Sequence, residues 1–171
     1  LEAIKDIVSS DKAIENIIEI KFYGNIGKDD IKYINENNLN NIVSYGLKIN
    51  YLESLKKMQE SNYLLFIDAN ISEIVDRNIF FAAKLADYIG SNTPIIGITM
   101  LDGVSADVLR ETNNLVLTYS KSDIKNYLLK ILKKTYEINN EKQYDYFNAK
   151  KVAKHFDEYI EKIIKEKEED I

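Results

Sequence analysis

The apolar run Pro94-Ile95-Ile96-Gly97-Ile98 carries no polar alternation, which is how a short parallel strand covered on both faces reads. A chain holding such a strand needs helices on both sides of its sheet. The residues just before it supply one. Phe81, Leu85 and Tyr88 or Ile89 recur at three-to-four spacing and predict an apolar helical stripe, with Lys84 and Asp87 on a neighbouring face. Gly90-Ser91-Asn92-Thr93 and the sole proline, Pro94, read as the turn between helix and strand. The helix is expected to begin at Phe80-Phe81-Ala82-Ala83. Its unpaired first-turn N–H groups and positive dipole end there suit a phosphorylated ligand.

The same alternation of helix and strand runs along the chain. Leu1, Ile4, Ile7 and Val8 predict a helix ending near Ser9-Ser10-Asp11, and the branched and aromatic run Ile17 to Tyr23 predicts a strand stopped by Gly24. Asp29-Asp30 open a short helix, the asparagines from Asn35 to Asn41 read as a loop, and Ile42 to Tyr45 as a strand closed by Gly46. Tyr51, Leu55 and Met58 line a helix that precedes a fully apolar strand, Tyr63 to Ile67, and a polar loop from Asp68 to Asn78. Beyond the central unit, Ala106 to Thr112 predicts a helix and Leu115 to Thr118 a strand. Ser120-Lys121-Ser122-Asp123 caps an amphipathic helix through Ile124, Tyr127, Leu128, Ile131 and Leu132. A last helix is expected from Tyr144 to Lys165. Five strands in repeated β-α order predict a doubly wound parallel α/β domain, with ligands outside the carboxyl ends of the strands.

Composition narrows the function classes. With 171 residues, 45% hydrophobic and 30% charged, the chain can bury a core of ordinary domain size. Its net charge of −5 is built from interspersed signs, which leaves no basic field for nucleic acid or an anionic membrane. There is no cysteine, so disulfide and thiolate chemistry are excluded. No apolar run approaches the roughly 18 residues of a membrane helix. The chain opens on Leu1 directly in a helical pattern, and it is expected to be a piece of a longer protein.

The run Lys84-Leu85-Ala86-Asp87-Tyr88-Ile89-Gly90-Ser91-Asn92-Thr93-Pro94-Ile95-Ile96-Gly97 resembles the donor-side helix and strand of family-4-type glycosyltransferases of the two-Rossmann (GT-B) architecture, in which an acid stands seven positions before a proline. Phe22-Tyr23-Gly24-Asn25 is similar to a strand end of that family. So is the stretch from Val43-Ser44-Tyr45-Gly46 through Tyr51-Leu52-Glu53-Ser54-Leu55 and Met58 to Ser61-Asn62-Tyr63-Leu64-Leu65-Phe66-Ile67. Val108 to Asn113 resembles the segment before the family's last strand, so the likeness covers about residues 17 to 135.

The resemblance implies a Rossmann-like nucleotide-sugar-binding domain over residues 1–138, lacking its first strand. It implies a C-terminal helix over 139–171 that braces an N-terminal domain. The implied activity is transfer of a sugar from a UDP-sugar or GDP-sugar to a glycan or lipid-linked acceptor, metal-independent and without a further cofactor. That activity would serve polysaccharide or glycoconjugate synthesis in the cytoplasm, with peripheral association at the inner face of the membrane. By analogy Asp87 accepts the ribose hydroxyls, the N–H groups of Ala82 and Ala83 face the diphosphate, and Lys84 is the catalytic cation beside the leaving phosphate. Gly46 and Lys48 lie near the base, and Gly24 closes the neighbouring strand end. Ile79 stands where the family carries its first glutamate, and the segment that supplies an arginine and a lysine to the phosphates would precede Leu1. The chain alone is therefore expected to be inactive.

Other readings compete. Asp68, Thr99 and Lys121 follow successive apolar strands at the spacing of a receiver-type phosphoacceptor domain, although that family's acidic pair has no counterpart at Phe22-Tyr23-Gly24. Lys84 and Asp87 also have the spacing of a surface ion pair. His155, the only histidine, is expected at the surface, and Val152, Phe156, Ile160 and Ile163 as a partly exposed stripe that promotes self-association.

Overall fold

A computed structural model describes residues 1–141 and 147–169. Its elements follow the predicted alternation: α1 (Glu2–Ser10), β1 (Ile20–Tyr23), α2 (Lys28–Glu36), β2 (Val43–Leu47), α3 (Tyr51–Glu60), β3 (Leu64–Ile67), α4 (Ala83–Gly90), β4 (Ile95–Ile98), α5 (Val104–Glu111), β5 (Leu115–Leu117), α6 (Lys121–Leu132) and α7 (Ala149–Glu169). Local chemistry explains several ends. Asn50 Oδ1 accepts from Glu53 N at 2.9 Å to cap α3, and Ser120 Oγ accepts from Asp123 N to cap α6. Asn38, Asn92 and Asn113 adopt left-handed backbone two residues beyond α2, α4 and α5, a conformation asparagine tolerates better than most residues. The asparagine-rich stretch after α2 is thus helix-ending chemistry.

All the strand pairs are parallel, as expected of a doubly wound α/β fold, but they form two sheets: β1-β2, and β3-β4-β5 in that order. In the first sheet Lys21 pairs with Ser44 and Tyr23 with Leu47, so β2 carries one extra residue. Gly46, at φ +75°, provides the backbone for this bulge. The strand therefore runs through Gly46 instead of stopping at it. β1 starts later than expected because the short 3₁₀ helix Lys12–Asn16, capped by the Asp11 carboxylate, ends in a turn in which Ile17 N and Ile18 N both bond the Ile14 carbonyl.

Ile4, Ile7, Ile34 and Val43 anchor a core beneath the first sheet. Leu64, Phe66, Leu85, Ile95 and Leu109 form a second core, and Ile96, Ile98, Leu115, Leu117 and Ile131 a third. Leu128 of α6 packs against both the first and the third, so this helix joins the half-sheets. β4 is buried at every position, as its sequence demands. β3 is not: Leu64 and Phe66 are buried while Leu65 and Ile67 are exposed.

The central helix begins at Ala83, and Phe80 and Phe81 belong to the preceding loop. Phe81 meets Phe147 edge-on with ring centroids 5.8 Å apart. The expected last helix is found from Ala149, with Tyr144, Asp145 and Tyr146 outside the described residues. Its apolar side chains Val152, Phe156, Ile160 and Ile163 are exposed, as is His155.

Candidate functional site

α4 presents its apolar side, Leu85 and Ile89, to the second core, which turns Asp87 toward α3. There the Tyr51 hydroxyl donates to Asp87 Oδ1 at 3.0 Å. The hydrogen bond, followed by the charge of the carboxylate, raises the Tyr51 phenol above its ordinary pKa. Both groups face an open cleft of about 270 Å³ between α3 and α4, floored by Leu55 and Ala86 and bounded by Gln59, Gly90 and Ser91. The i, i+3 spacing of Lys84 and Asp87 had suggested an ion pair. The structure instead gives Asp87 to Tyr51, a residue 36 positions away, and leaves Lys84 exposed.

The other residues singled out in the sequence fall around the same helix start and strand ends. Ala82 is the N-cap of α4 and supplies no side-chain cap, and Ala83 is the first helical residue. Gly24 follows β1 with φ +104°, directly beyond the Tyr23–Leu47 pair. Gly46 lies in the bulge and Lys48 in the exposed link that leads to Tyr51. The chain from Gly46 to Tyr51 is therefore the connection between the end of β2 and the Asp87 cleft. Ile79, at the place of the family's first glutamate, is exposed in the loop before α4.

A second polar cluster sits at the ends of β3 and β4. Asp68 Oδ2 accepts from Asn78 Nδ2 at 3.1 Å and from Thr99 Oγ1 at 3.3 Å, while Asp68 Oδ1 accepts from the Ala69 N–H at 2.9 Å. Asn78 and Thr99 are buried. Tyr119 donates to the Ala69 carbonyl at 2.9 Å, and its phenol is pushed up, first by burial and then by the Asp68 charge. The structure thus unites Asp68 with Thr99. Lys121 is committed elsewhere: its ammonium pairs with Asp6 at 2.8 Å and lies 3.8 Å from Glu2, both on α1.

Two contributors were missed in the sequence. The sequence places Tyr51 on a helix face, and nothing local marks it as the partner of an acid on another helix. Asn78 ends a stretch whose sequence reads only as a polar loop. Its amide holds Asp68 and its Oδ1 accepts from Phe80 N at 3.0 Å. Its backbone N–H bonds the Asp102 carbonyl, and its own carbonyl accepts from Val104 N. Arg77 reinforces that junction by pairing with Asp102 and Asp107. The loop before α4 is therefore tied to the turn after β4, which fixes where α4 begins.

Among the described residues no three His, Cys, Asp or Glu side chains converge as a metal cage, and no helix is long and apolar enough to cross a membrane. Comparison with known proteins returns no match: no family model, curated protein or solved structure matches the chain.

Proposed function

We propose that this chain is the nucleotide-sugar-binding half of a glycosyltransferase, with the donor nucleotide held between the start of α4 and the segment from Gly46 to Tyr51. The supporting observation is Asp87: an accessible carboxylate on α4, facing an open cleft and holding a single hydroxyl donor. A carboxylate accepts only, and it takes two hydroxyls side by side, so a ribose diol is a fitting ligand. The uncapped N–H groups at Ala82 and Ala83 would meet the diphosphate, with Lys84 beside them. As the bond from the anomeric carbon to the phosphate oxygen breaks, negative charge grows on the departing diphosphate. These donors and the Lys84 ammonium would stabilise that charge more than the ground state, which is how they would accelerate transfer. The acceptor, a glycan or a lipid-linked sugar, would be bound by another domain. This reading carries with it polysaccharide or glycoconjugate synthesis on the cytoplasmic side, at the inner face of the membrane.

The test is a calorimetric titration with UDP and GDP in the absence of magnesium. Saturable binding of one nucleotide is expected, weakened roughly tenfold or more in Asp87→Ala, the loss that follows from removing charge-assisted hydrogen bonds. Equal binding by the variant would refute the assignment of Asp87. The Asp68–Thr99 contact favours a second reading, a phosphoacceptor domain. That reading predicts magnesium binding and a labile acyl phosphate on Asp68 after exposure to a small phosphodonor.

A further inference from the structure

We infer that α7 seats its apolar face on a second copy of this chain, against the loop that precedes α4, in a twofold pair where each copy gives its helix to the other's loop. The inference stands apart from the donor-site reading. The receiving surface is built around Asn78. Ile79 and Phe80 follow it directly, Ile74 stands four residues before it, and Leu101 precedes Asp102, whose carbonyl accepts from the Asn78 N–H. All four apolar side chains are exposed, Phe80 by 70%. The loop is nevertheless held in place: Asn78 forms a parallel bridge with Gly103, and Arg77 pairs with Asp102 and Asp107. A segment fixed this firmly with large apolar groups in water has the character of an interaction surface.

The apolar face of α7 is the matching one. Phe147 packs edge-on against Phe81, so the helix starts beside its own loop, yet every side chain from 149 to 166 is exposed, Phe156 by 64%. At about 100° per residue, Val152, Phe156, Tyr159, Ile160, Ile163 and Ile164 span about 140° of its circumference. A two-stranded seam uses a narrower stripe, so this face covers more than a single helix. A twofold pair supplies two surfaces to it, the partner's α7 running antiparallel and the partner's loop. Phe156 lies about 10 Å along α7 from its first residue, far enough to clear its own loop and reach that of a copy packed beside it.

Charge selects this occupant. Residues 68–81 carry three carboxylates, Asp68, Glu73 and Asp76, and one cation, Arg77, which is already paired. The first two turns of α7, 149–156, hold Lys150, Lys151 and Lys154 and no carboxylate. Cations at the positive end of a helix dipole are unfavourable by themselves, and an acidic surface laid against them offsets that penalty. Farther along, Asp157, Glu158 and Glu161 alternate with Lys162 and Lys165, a mixed face that suits a protein surface better than an anionic bilayer.

The experiment is sedimentation equilibrium of the 171-residue chain, alone and as Phe156→Asp and Phe80→Asp. Both positions are exposed in the single copy, so each variant is expected to keep the parent's circular dichroism. The parent should dimerise, and each variant should weaken the dimer by about thirtyfold or more, as the loss of a large anchor at an interface does. Because the pair is reciprocal, mixing the two variants regains one intact helix-to-loop contact, and mixed dimers tighter than those of either variant are expected. A parent that remains monomeric, whether or not its α7 then binds lipid vesicles, would overturn the inference. So would a Phe80→Asp dimer as tight as the parent's, which would leave α7 against α7 alone, or a mixture no more associated than its components.

Discussion

The Tyr51–Asp87 contact is where one side chain decides whether the cleft is a site or a surface detail. Both groups are accessible, so their hydrogen bond adds little to folding. Tyr51→Phe is expected to lower stability by no more than about 1 kcal/mol in chemical denaturation. Under the proposed function the same variant should weaken UDP or GDP binding less than Asp87→Ala does, because the nucleotide replaces the phenol as donor while the carboxylate has no substitute. Equal losses in the two variants would mean that Tyr51 itself contacts the ligand. At this scale the sequence was half legible. Asp87 stood out by its spacing from Pro94, but Lys84 was the partner that helical spacing offered, and the structure chose a tyrosine on another helix. Such a pairing depends on how α3 and α4 pack, which no local pattern encodes. The same holds for Asn78, whose four hydrogen-bonding groups are satisfied by residues on both sides of it in the chain.

Elements are placed by close packing and by a few ion pairs, and each kind of contact has its own test. Gly97 lies mid-strand in β4, where a Cβ would press into Leu109 Cδ1 and approach the Leu115 carbonyl at 3.3 Å. Leu109 is fully buried and has little room to yield. Gly97→Ala is therefore expected to cost about 1–3 kcal/mol of stability by overpacking, read from the denaturation midpoint. A variant as stable as the parent would show that α5 sits farther from β4 than described.

The Lys121–Asp6 pair fastens α6 to α1. The hydrogen bond from Lys121 holds the Asp6 carboxyl below the usual carboxylate range. A carboxyl whose folded pKa is depressed stabilises the fold above its unfolded value near 4, and that contribution fades as pH falls through the folded value. Lys121→Met should accordingly flatten the loss of stability as pH falls below about 4. An unchanged acid limb would mean that the pair does not persist in solution.

Most elements were legible because hydrophobic period and asparagine or serine punctuation agree, as in β4 and α6. The start of α4 was not, since Phe80 and Phe81 continue the helical period but are drawn out by the Asn78 anchor and by Phe147.

At the scale of the molecule, parallel strands alternating with helices were foreseen, and the division into two sheets was not. Apolar runs announce strands but do not say which edges stay open. Among the described residues β3 pairs with β4 alone, and its Leu65 and Ile67 are exposed. The division matters for function because the start of α4, the end of β2 and the turn after β1 lie around the carboxyl ends of the strands, where ligands of doubly wound sheets bind. Val152, Phe156, Ile160 and Ile163 of α7 are exposed.

The most direct test of nucleotide binding is an amide shift map recorded while UDP or GDP is added to the metal-free chain. The account predicts saturating shifts at Ala82, Ala83, Lys84 and Asp87, accompanied by Gly46, Lys48 and Tyr51. Shifts confined to Asp68, Thr99 and their neighbours, or none at saturating nucleotide, would contradict it.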